Sequence, residues 1–276
     1  MPATLDQILA ATRQSLIQTK GAVRFEDLQH RAEKHQPRGF RGAIETASQR
    51  GAAIIAELKK ASPSRGLIRQ DFDPEQLARE LAEAGAAALS VLTEREFFQG
   101  SLENLQRVSG AVELPCLRKD FIVDEFQIVE ARASAADAIL LIVAALSQNE
   151  LVTLMKAARR WELDVLCEVH EKDELSRSVD AGADLIGVNS RDLRTFKVDL
   201  KTALDLGGFI PKHAVRVAES GIHSGEDIVR LQKARYQAFL IGETLMKAPH
   251  PGEALRALLS SVSAFSDSQS STVTLP

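Results

Sequence analysis

Eight short apolar runs recur in the sequence from residue 53 onward. Five ionisable side chains lie at the ends of these runs, where a soluble protein seldom places charge. They are Glu57 and Lys59 after the first run, Lys119 after the third, Glu168 after the fifth and Glu219 after the seventh. Lysine can donate a proton and glutamate can accept one, and mutual pairing shifts their pKa values in the way that acid-base work requires. Surface salt bridges at strand ends explain any one of these residues as well, but they do not readily explain charges on four alternate runs.

An amide and a guanidinium follow the sixth run. Asn189 ends that run, and Arg191 lies two residues further along the chain. Because arginine presents a planar fork of donors, the pair suits the orientation of a substrate carboxylate or carbonyl. An ordinary capping turn is the alternative interpretation.

Turns of small residues follow the first, seventh and eighth runs. They are Ser62-Pro63-Ser64, Ser220-Gly221 and Gly242. Small residues let backbone N–H groups approach an anion. Serine and glycine also occur in ordinary loops. The prediction of a phosphate site therefore depends on the position of these turns directly after the first, seventh and eighth runs.

Three phenylalanines follow the second and third runs. They are Phe97, Phe98 and Phe121. Aromatic side chains near strand ends can line an apolar subsite for a ring, although core packing explains at least one of them. We expect Phe98 and Phe121 to form the wall of such a subsite.

The elements that must position these residues follow one pattern from residue 53 onward. Short apolar runs alternate with longer amphipathic segments, which is typical of strand and helix units around a parallel sheet. The eight runs are Ala53 to Lys59, Ala86 to Thr93, Pro115 to Phe121, Ala138 to Val143, Asp164 to Val169, Leu185 to Asn189, Val215 to Ser220 and Ala238 to Glu243. Eight successive units predict an α/β fold, a closed (β/α)8 TIM barrel, in which alternate strands share a layer of inward side chains. An open doubly wound sheet is the alternative, and its dinucleotide-binding form would carry a GxGxxG motif that the first run lacks.

Helix signals and end segments complete the predicted organisation. Asp73-Pro74 supplies a helix start, and Ser147 with Glu150 has capping-box spacing. Residues 1–50 carry an amphipathic pattern, which predicts a helical extension packed on the barrel. We expect residues 1–265 to form a single domain and the Ser- and Thr-rich stretch 266–276 to be a mobile tail.

Charge, cysteine content and the N-terminus exclude several classes of protein. The formal net charge of -4 comes from mixed acidic and basic residues, so no extended field favours nucleic acid or an anionic membrane. Cys116 and Cys167 lie in apolar runs without metal-ligand spacing, which predicts reduced core thiols. No leader-like or membrane-spanning apolar stretch is found, so we expect a cytoplasmic protein.

The order of these motifs closely resembles that of the indole-3-glycerol phosphate synthase family of tryptophan biosynthesis. The matching segments are IIAELKKASPS from residue 54, LTE from 92, FQGS from 98, LRKDF from 117, ADAILLI from 136, EVH from 168, GVNSRDL from 187, AESGI from 218 and LIGE from 240. The resemblance covers about residues 5 to 260. Several motifs in one order are far more specific than any single motif.

The resemblance implies a carboxy-lyase that converts 1-(2-carboxyphenylamino)-1-deoxyribulose 5-phosphate to indole-3-glycerol phosphate. It implies that Lys119 is the general acid for ring closure, that Lys59 lies near the substrate carboxylate and that Glu168 serves the dehydration step. It assigns positioning and polarisation of the intermediate to Glu57, Asn189 and Glu219. The phosphate-binding positions are Ser62, Ser220, Gly221, Gly242 and Glu243, the last through its backbone.

The resemblance also implies no metal or organic cofactor and one small phosphorylated substrate as partner. A monomer is the default expectation, and association with other enzymes of tryptophan biosynthesis is left open. Two further hypotheses remain from the residues themselves. One is an aldolase-type barrel with a Schiff-base lysine, and the other is a barrel retained as a binding scaffold.

Overall fold

A computed structural model describes residues 3–192 and 195–270, with side chains described to residue 265. Eight parallel strands form a closed barrel, as the sequence predicts. They are β1 (Ala53–Leu58), β2 (Ala88–Leu92), β3 (Cys116–Lys119), β4 (Ala138–Ile142), β5 (Asp164–Val169), β6 (Leu185–Asn189), β7 (Val215–Glu219) and β8 (Ala238–Ile241). The barrel closes where β1 pairs with both β2 and β8. Several strands are shorter than the predicted runs because the run ends turn into loops.

Helices alternate with the strands and cover the outside of the barrel. They are α4 (Pro74–Glu83), α5 (Leu102–Ala111), α6 (Glu125–Ala133), α7 (Gln148–Arg160), α8 (Lys172–Asp180), α9 (Lys201–Leu206), α10 (Gly225–Lys233), α11 (Glu243–Met246) and α12 (Pro251–Ser270). Both predicted helix starts are confirmed. Asp73 accepts hydrogen bonds from backbone N–H groups of α4, and Ser147 and Glu150 form a capping box at α7.

Two apolar layers hold the fold together. The outer layer packs strand residues such as Ile139 and Phe239 against the helices, and the inner layer fills the barrel with residues such as Leu117 and Leu166. Both faces of each strand are therefore covered, which explains the continuous apolar runs in the sequence. Cys116 and Cys167 are buried free thiols, as predicted.

The N-terminal extension contains three helices and contacts both ends of the barrel. They are α1 (Leu5–Ala22), α2 (Phe25–Ala32) and α3 (Phe40–Ser48). Phe40 and Ile44 of α3 are fully buried against the inner layer. Close by, the Asp137 carboxylate, just before β4, binds the Arg38 guanidinium at 2.5 Å. The extension is thereby anchored to the amino end of the barrel.

The C-terminal segment differs from the sequence-based prediction over part of its length. Helix α12 continues to Ser270, so residues 266–270 are helical where a mobile tail was predicted. Residues 271–276 lie outside the described part of the chain. Within that part, no helix is long and apolar enough to cross a membrane.

Candidate active site

One cavity of about 210 Å³ opens at the carboxyl end of the barrel and gathers the residues singled out from the sequence. Its lining includes Glu57, Lys59, Ser62, Phe98, Lys119, Phe121, Glu168, Asn189, Arg191, Glu219, Ser220, Gly221, Gly242 and Glu243. The five charged residues come from the ends of β1, β3, β5 and β7, which point into the same layer. Barrel closure therefore brings together groups that are up to 162 positions apart in the chain.

The Lys119 ammonium lies at the centre of the charged cluster. Its Nζ is 3.3 Å from Glu168 Oε2, 3.3 Å from Glu219 Oε2 and 3.9 Å from Glu57 Oε2. Burial disfavours the charged form, but the three carboxylates outweigh it and raise the pKa of Lys119 above its ordinary value. Lys119 is therefore an ammonium group near neutral pH.

The second lysine forms a separate ion pair. Lys59 Nζ donates to Glu57 Oε1 over 2.5 Å, as expected for residues two apart on one strand face. Burial alone would raise the pKa of Glu57, but Lys59 and Lys119 hold it below its usual range. Glu57 is thus an ionised carboxylate shared by both lysines.

Glu168 and Glu219 form a buried carboxyl pair with unequal surroundings. Lys119, His170 and the Asn189 amide act against burial and hold the pKa of Glu168 below its usual range. Burial and the neighbouring Glu168 raise the pKa of Glu219 to about 8. No described group donates a well-aligned hydrogen bond to either Glu219 oxygen. Two like charges in contact cannot both be stable, so one proton is shared and resides mainly on Glu219.

The turn after β7 has the backbone conformation of an anion-binding loop. Ser220 and Gly221 have φ angles of 65° and 77°, so two successive residues are left-handed. A Cβ on Gly221 would lie 2.6 Å from Val198 Cγ1, which excludes larger residues. Such a turn can present successive N–H groups to a phosphate.

A cluster of cations surrounds Glu243 beside this turn. The Glu243 carboxylate lies 3.1 Å from Arg65 Nε, 3.4 Å from Arg191 Nη2 and 2.6 Å from Lys247 Nζ. Burial opposes ionisation, but these cations hold the pKa of Glu243 below its usual range. The cluster leaves a surplus of two positive charges. The structure thus pairs Arg191 with the Glu243 carboxylate just after β8, and the substrate carboxylate or carbonyl that the sequence pattern indicated as its partner stays a prediction.

Two aromatic side chains form one wall of the cavity. The Phe98 and Phe121 rings have centroids 6.1 Å apart and are tilted by 42°. Phe97 is not part of the lining and packs against the inner core layer. The Glu94 carboxylate accepts hydrogen bonds from the backbone N–H groups of Phe97 and Phe98 and so fixes the loop.

Three features of the site escaped sequence reasoning. Leu5 and Ile8 of α1 line the cavity, although their spacing indicated only a packing face. Arg65 belongs to a short hairpin formed by Ala61–Ser62 and Gly66–Leu67, which looked like a plain turn. His170 lies 3.5 Å from Glu168, and its signals in the sequence were the EVH segment and its position two residues after that glutamate. The contacts of Leu5, Ile8 and Arg65 with the cavity depend on how the chain folds back, whereas the contact between His170 and Glu168 is local to the end of β5.

The fold and the site define a (β/α)8 barrel enzyme with an acid-base cluster at the carboxyl end of its strands. The family model described as "Indole-3-glycerol phosphate synthase" matches residues 5–258 of the chain. The chain belongs to the indole-3-glycerol phosphate synthase family, and it is an enzyme of the carboxy-lyase type. Within the described residues, no group of three or more histidine, cysteine, aspartate or glutamate side chains is placed to hold a metal ion.

Relatives with the same name match over most of their length. The indole-3-glycerol phosphate synthase of Koribacter versatilis is 60% identical over 259 residues, which cover 94% of this chain and all of that protein. The Burkholderia ambifaria synthase (strain AMMD) is 45% identical over 256 residues, covering 92% of this chain and 98% of that protein.

Solved structures of distant sequence share the architecture. A thiamine phosphate pyrophosphorylase from Pyrococcus furiosus has a TM-score of 0.59 and 16% identity, covering 77% of this chain and 96% of that one. KGPDC from Streptococcus mutans has a TM-score of 0.58 and 12% identity, and the match covers 77% of this chain and 98% of that one. These similarities show the fold alone.

Proposed function

We propose that this cavity converts 1-(2-carboxyphenylamino)-1-deoxyribulose 5-phosphate to indole-3-glycerol phosphate, with Lys119 and Glu168 as its principal proton-transfer groups. The observation that carries the assignment is the Lys119 ammonium held among three buried carboxylates. The reaction closes a ring, releases carbon dioxide and expels water. Each step needs a different kind of group in the cavity.

Ring closure requires a proton donor at the ketone oxygen. The aromatic carbon that carries the carboxylate attacks the ketone carbon, and negative charge develops on the oxygen. The buried Lys119 ammonium can stabilise that charge and then transfer a proton to it. Its protonation near neutral pH suits a donor and not a Schiff-base nucleophile, which needs a neutral amine. This favours acid catalysis over the aldolase-type mechanism.

Loss of carbon dioxide follows because it restores the aromatic ring. The substrate carboxylate must first be held out of water, and Lys59 supplies a positive charge in the cavity. Glu57 fixes the position of that lysine through their 2.5 Å contact. We assign Lys59 to the substrate carboxylate on this basis.

Dehydration needs a base for the proton lost from the carbon next to the nitrogen. Glu168 is buried and ionised, and the Asn189 amide helps to hold its pKa down. Glu168 can take that proton while the departing hydroxyl group receives a proton from a lysine ammonium in the cavity and leaves as water. Glu57, Asn189 and Glu219 position and polarise the intermediate around it.

The remaining residues bind the two ends of the substrate. The surplus positive charge around Glu243 matches a phosphate dianion bound by Ser62, Ser220, Gly221 and the backbone of Gly242 and Glu243. Phe98 and Phe121 pack against the aryl ring from the other side. The Glu243 carboxylate is already engaged by cations, so its contribution to the phosphate is through the main chain.

We also propose that the enzyme acts as a single-domain monomer in the cytoplasm. The acid-base, phosphate-binding and ring-binding residues of the proposed mechanism all belong to this chain, so the mechanism requires no second copy. Unpaired buried thiols at Cys116 and Cys167 are usual in a reducing compartment. Light scattering on the purified protein measures its molar mass in solution. The mass of a dimer at micromolar concentration would contradict the proposed monomer.

The decisive experiment is to incubate the purified protein with the carboxyphenylamino substrate and follow indole fluorescence. We expect turnover by the native chain and a loss of about 10²-fold to 10⁴-fold in Lys119→Ala and Glu168→Ala, both still folded. Lys201→Ala, which changes an exposed lysine of α9, is the matched control. Native rates in both site variants would refute the assignment.

A further inference from the structure

His170 is a partly buried imidazole that has no role in the proposed mechanism. It lies two residues after Glu168, so both side chains leave the end of β5 on the same side. The His170 side chain is 15% exposed, and its Nε2 lies 3.5 Å from Glu168 Oε1. That nitrogen is buried and makes no hydrogen bond of good geometry to any described residue. A buried donor in this position needs an acceptor, and the Glu168 carboxylate is adjacent to it.

The other side of the ring is held by a second carboxylate. Glu174 of α8 accepts a hydrogen bond from the backbone N–H of His170 at 2.6 Å, and its Oε2 lies 3.2 Å from His170 Nδ1. Glu174 is itself buried. An imidazole between two carboxylates can donate from both nitrogens only when it carries a positive charge.

We propose that His170 is a positioning residue that, as an imidazolium held by Glu174, keeps Glu168 ionised and leaves the proton of the carboxyl pair on Glu219. This inference rests on the proposed role of Glu168 as the base for dehydration. It assigns the two glutamates different protonation states before the substrate binds.

The charges on every element around the pair support this division. The groups that face Glu168 are Lys119 from β3, Glu57 from β1, Glu219 from β7, Asn189 from β6 and His170 itself. Lys119 is equally close to both glutamates, at 3.3 Å from each, so it does not distinguish them. His170 is the cation that approaches Glu168 within 4.0 Å and has no such ion pair with Glu219 among the described residues. Among the charged groups, the asymmetry therefore comes from the histidine, and the Asn189 amide acts in the same direction.

The pKa directions agree with the geometry. Burial lowers the pKa of His170, but Glu174 and Glu168 outweigh burial and raise it above the ordinary value. The same contact helps to hold the pKa of Glu168 down. Two carboxyl groups with separated pKa values can serve as base and proton holder in one site.

The test is the pH dependence of kcat/KM in His170→Gln and His170→Lys. We expect His170→Gln to move the acid limb of the profile up by about one pH unit, so that kcat/KM at a fixed pH on that limb falls about tenfold while the plateau changes little. His170→Lys restores a positive charge and should return the limb toward the native position. A uniform loss across pH, or no rescue by lysine, would mean that His170 is merely structural.

Glu174→Gln provides a second variant that leaves the imidazole in place. It should shift the acid limb of the kcat/KM profile in the same direction as His170→Gln does. The acid limb of the double variant should lie at the same pH as that of His170→Gln alone. Glu171→Gln, an exposed neighbour without a side-chain cap contact, is the control and should match the native profile. Additive shifts in the double variant would overturn the coupling between Glu174 and His170.

A spectroscopic measurement separates this inference from the proposed function. In ¹⁵N-histidine NMR, the resonances that disappear in His170→Gln should report an imidazolium near neutral pH, and Glu168→Gln should lower their midpoint. A neutral ring at pH 7 would overturn the inference even if Glu168→Ala is inactive. An active Glu168→Ala would instead refute the proposed role of the glutamate.

Discussion

Glu219 of β7 occupies the space that Gly187 of β6 leaves by having no side chain. A Cβ built on Gly187 would lie 2.1 Å from Glu219 Oε1, far inside van der Waals contact. Gly187 is also the register partner of Glu168 on β5. Because the strand between them carries no side chain at this level, the two carboxyl groups can meet across it. The glycine therefore creates the acid pair as much as the glutamates do.

Gly187→Ala should separate this pair. The added methyl group must push Glu219 aside, since Leu166 Cδ1 at 3.1 Å blocks the other direction. We expect turnover to fall by about 10²-fold, because small displacements in an active site carry large costs. Stopped-flow indole fluorescence measures the effect. The control is Gly42→Ala on α3, where the new Cβ meets nothing within 4 Å and turnover should be unchanged. Unchanged turnover in Gly187→Ala would show that Glu168 and Glu219 can rearrange without loss of function.

The raised pKa of Glu219 predicts how stability depends on pH. Its folded value of about 8 exceeds the ordinary value of 4.5. Between these two values the folded chain keeps a proton that the unfolded chain has lost, so this group makes stability fall as pH rises. Glu219→Gln removes the effect. In urea unfolding, the free energy of unfolding of the variant relative to that of the native chain should increase by at least about 1 kcal/mol from pH 5 to pH 8. A constant difference would mean that Glu219 is ionised in the native state.

The cations near Glu243 should control affinity more than chemistry. Arg65 and Arg191 both pair with its carboxylate, and a bound phosphate would compete for them. We expect Arg65→Met or Arg191→Met to raise KM about tenfold to 100-fold with kcat within a few-fold of native. Steady-state kinetics at fixed ionic strength would show this split. A fall in kcat at unchanged KM would place the arginines in the chemical step instead.

The Asp137 cluster should set stability without affecting catalysis. Asp137 is fully buried and binds Arg38, His35 and the backbone N–H of Cys116. Asp137→Ala leaves Arg38 without its carboxylate partner and the backbone N–H of Cys116 without an acceptor, which should cost about 3–5 kcal/mol of unfolding free energy. Turnover at 20 °C should persist, because the cluster lies at the amino end of the barrel. Lys20→Ala breaks the exposed pair with Asp124 and should cost less than about 1 kcal/mol in the same denaturant titration.

The sequence by itself determined the repeating units and the chemical inventory of the site. Apolar runs mark the eight strands because both faces of a barrel strand are covered, and caps such as Asp73 and Ser147 mark helix starts by local hydrogen bonding. Lys119 and Glu168 were recognisable because a charge directly after an apolar run conflicts with burial unless it has a partner. These signals are local, so they survive in a linear chain.

Only the tertiary structure decided which groups touch. The placement of Leu5 in the cavity, the pairing of Arg191 with Glu243 and the contacts of Lys119 with Glu168 and Glu219 each depend on how the closed barrel and its loops fold back. The missing side chain at Gly187 is important for the site only because Glu219, on the next strand, fills the space. Distances of a few ångströms between residues far apart in sequence are set by strand register and packing, which no local pattern encodes.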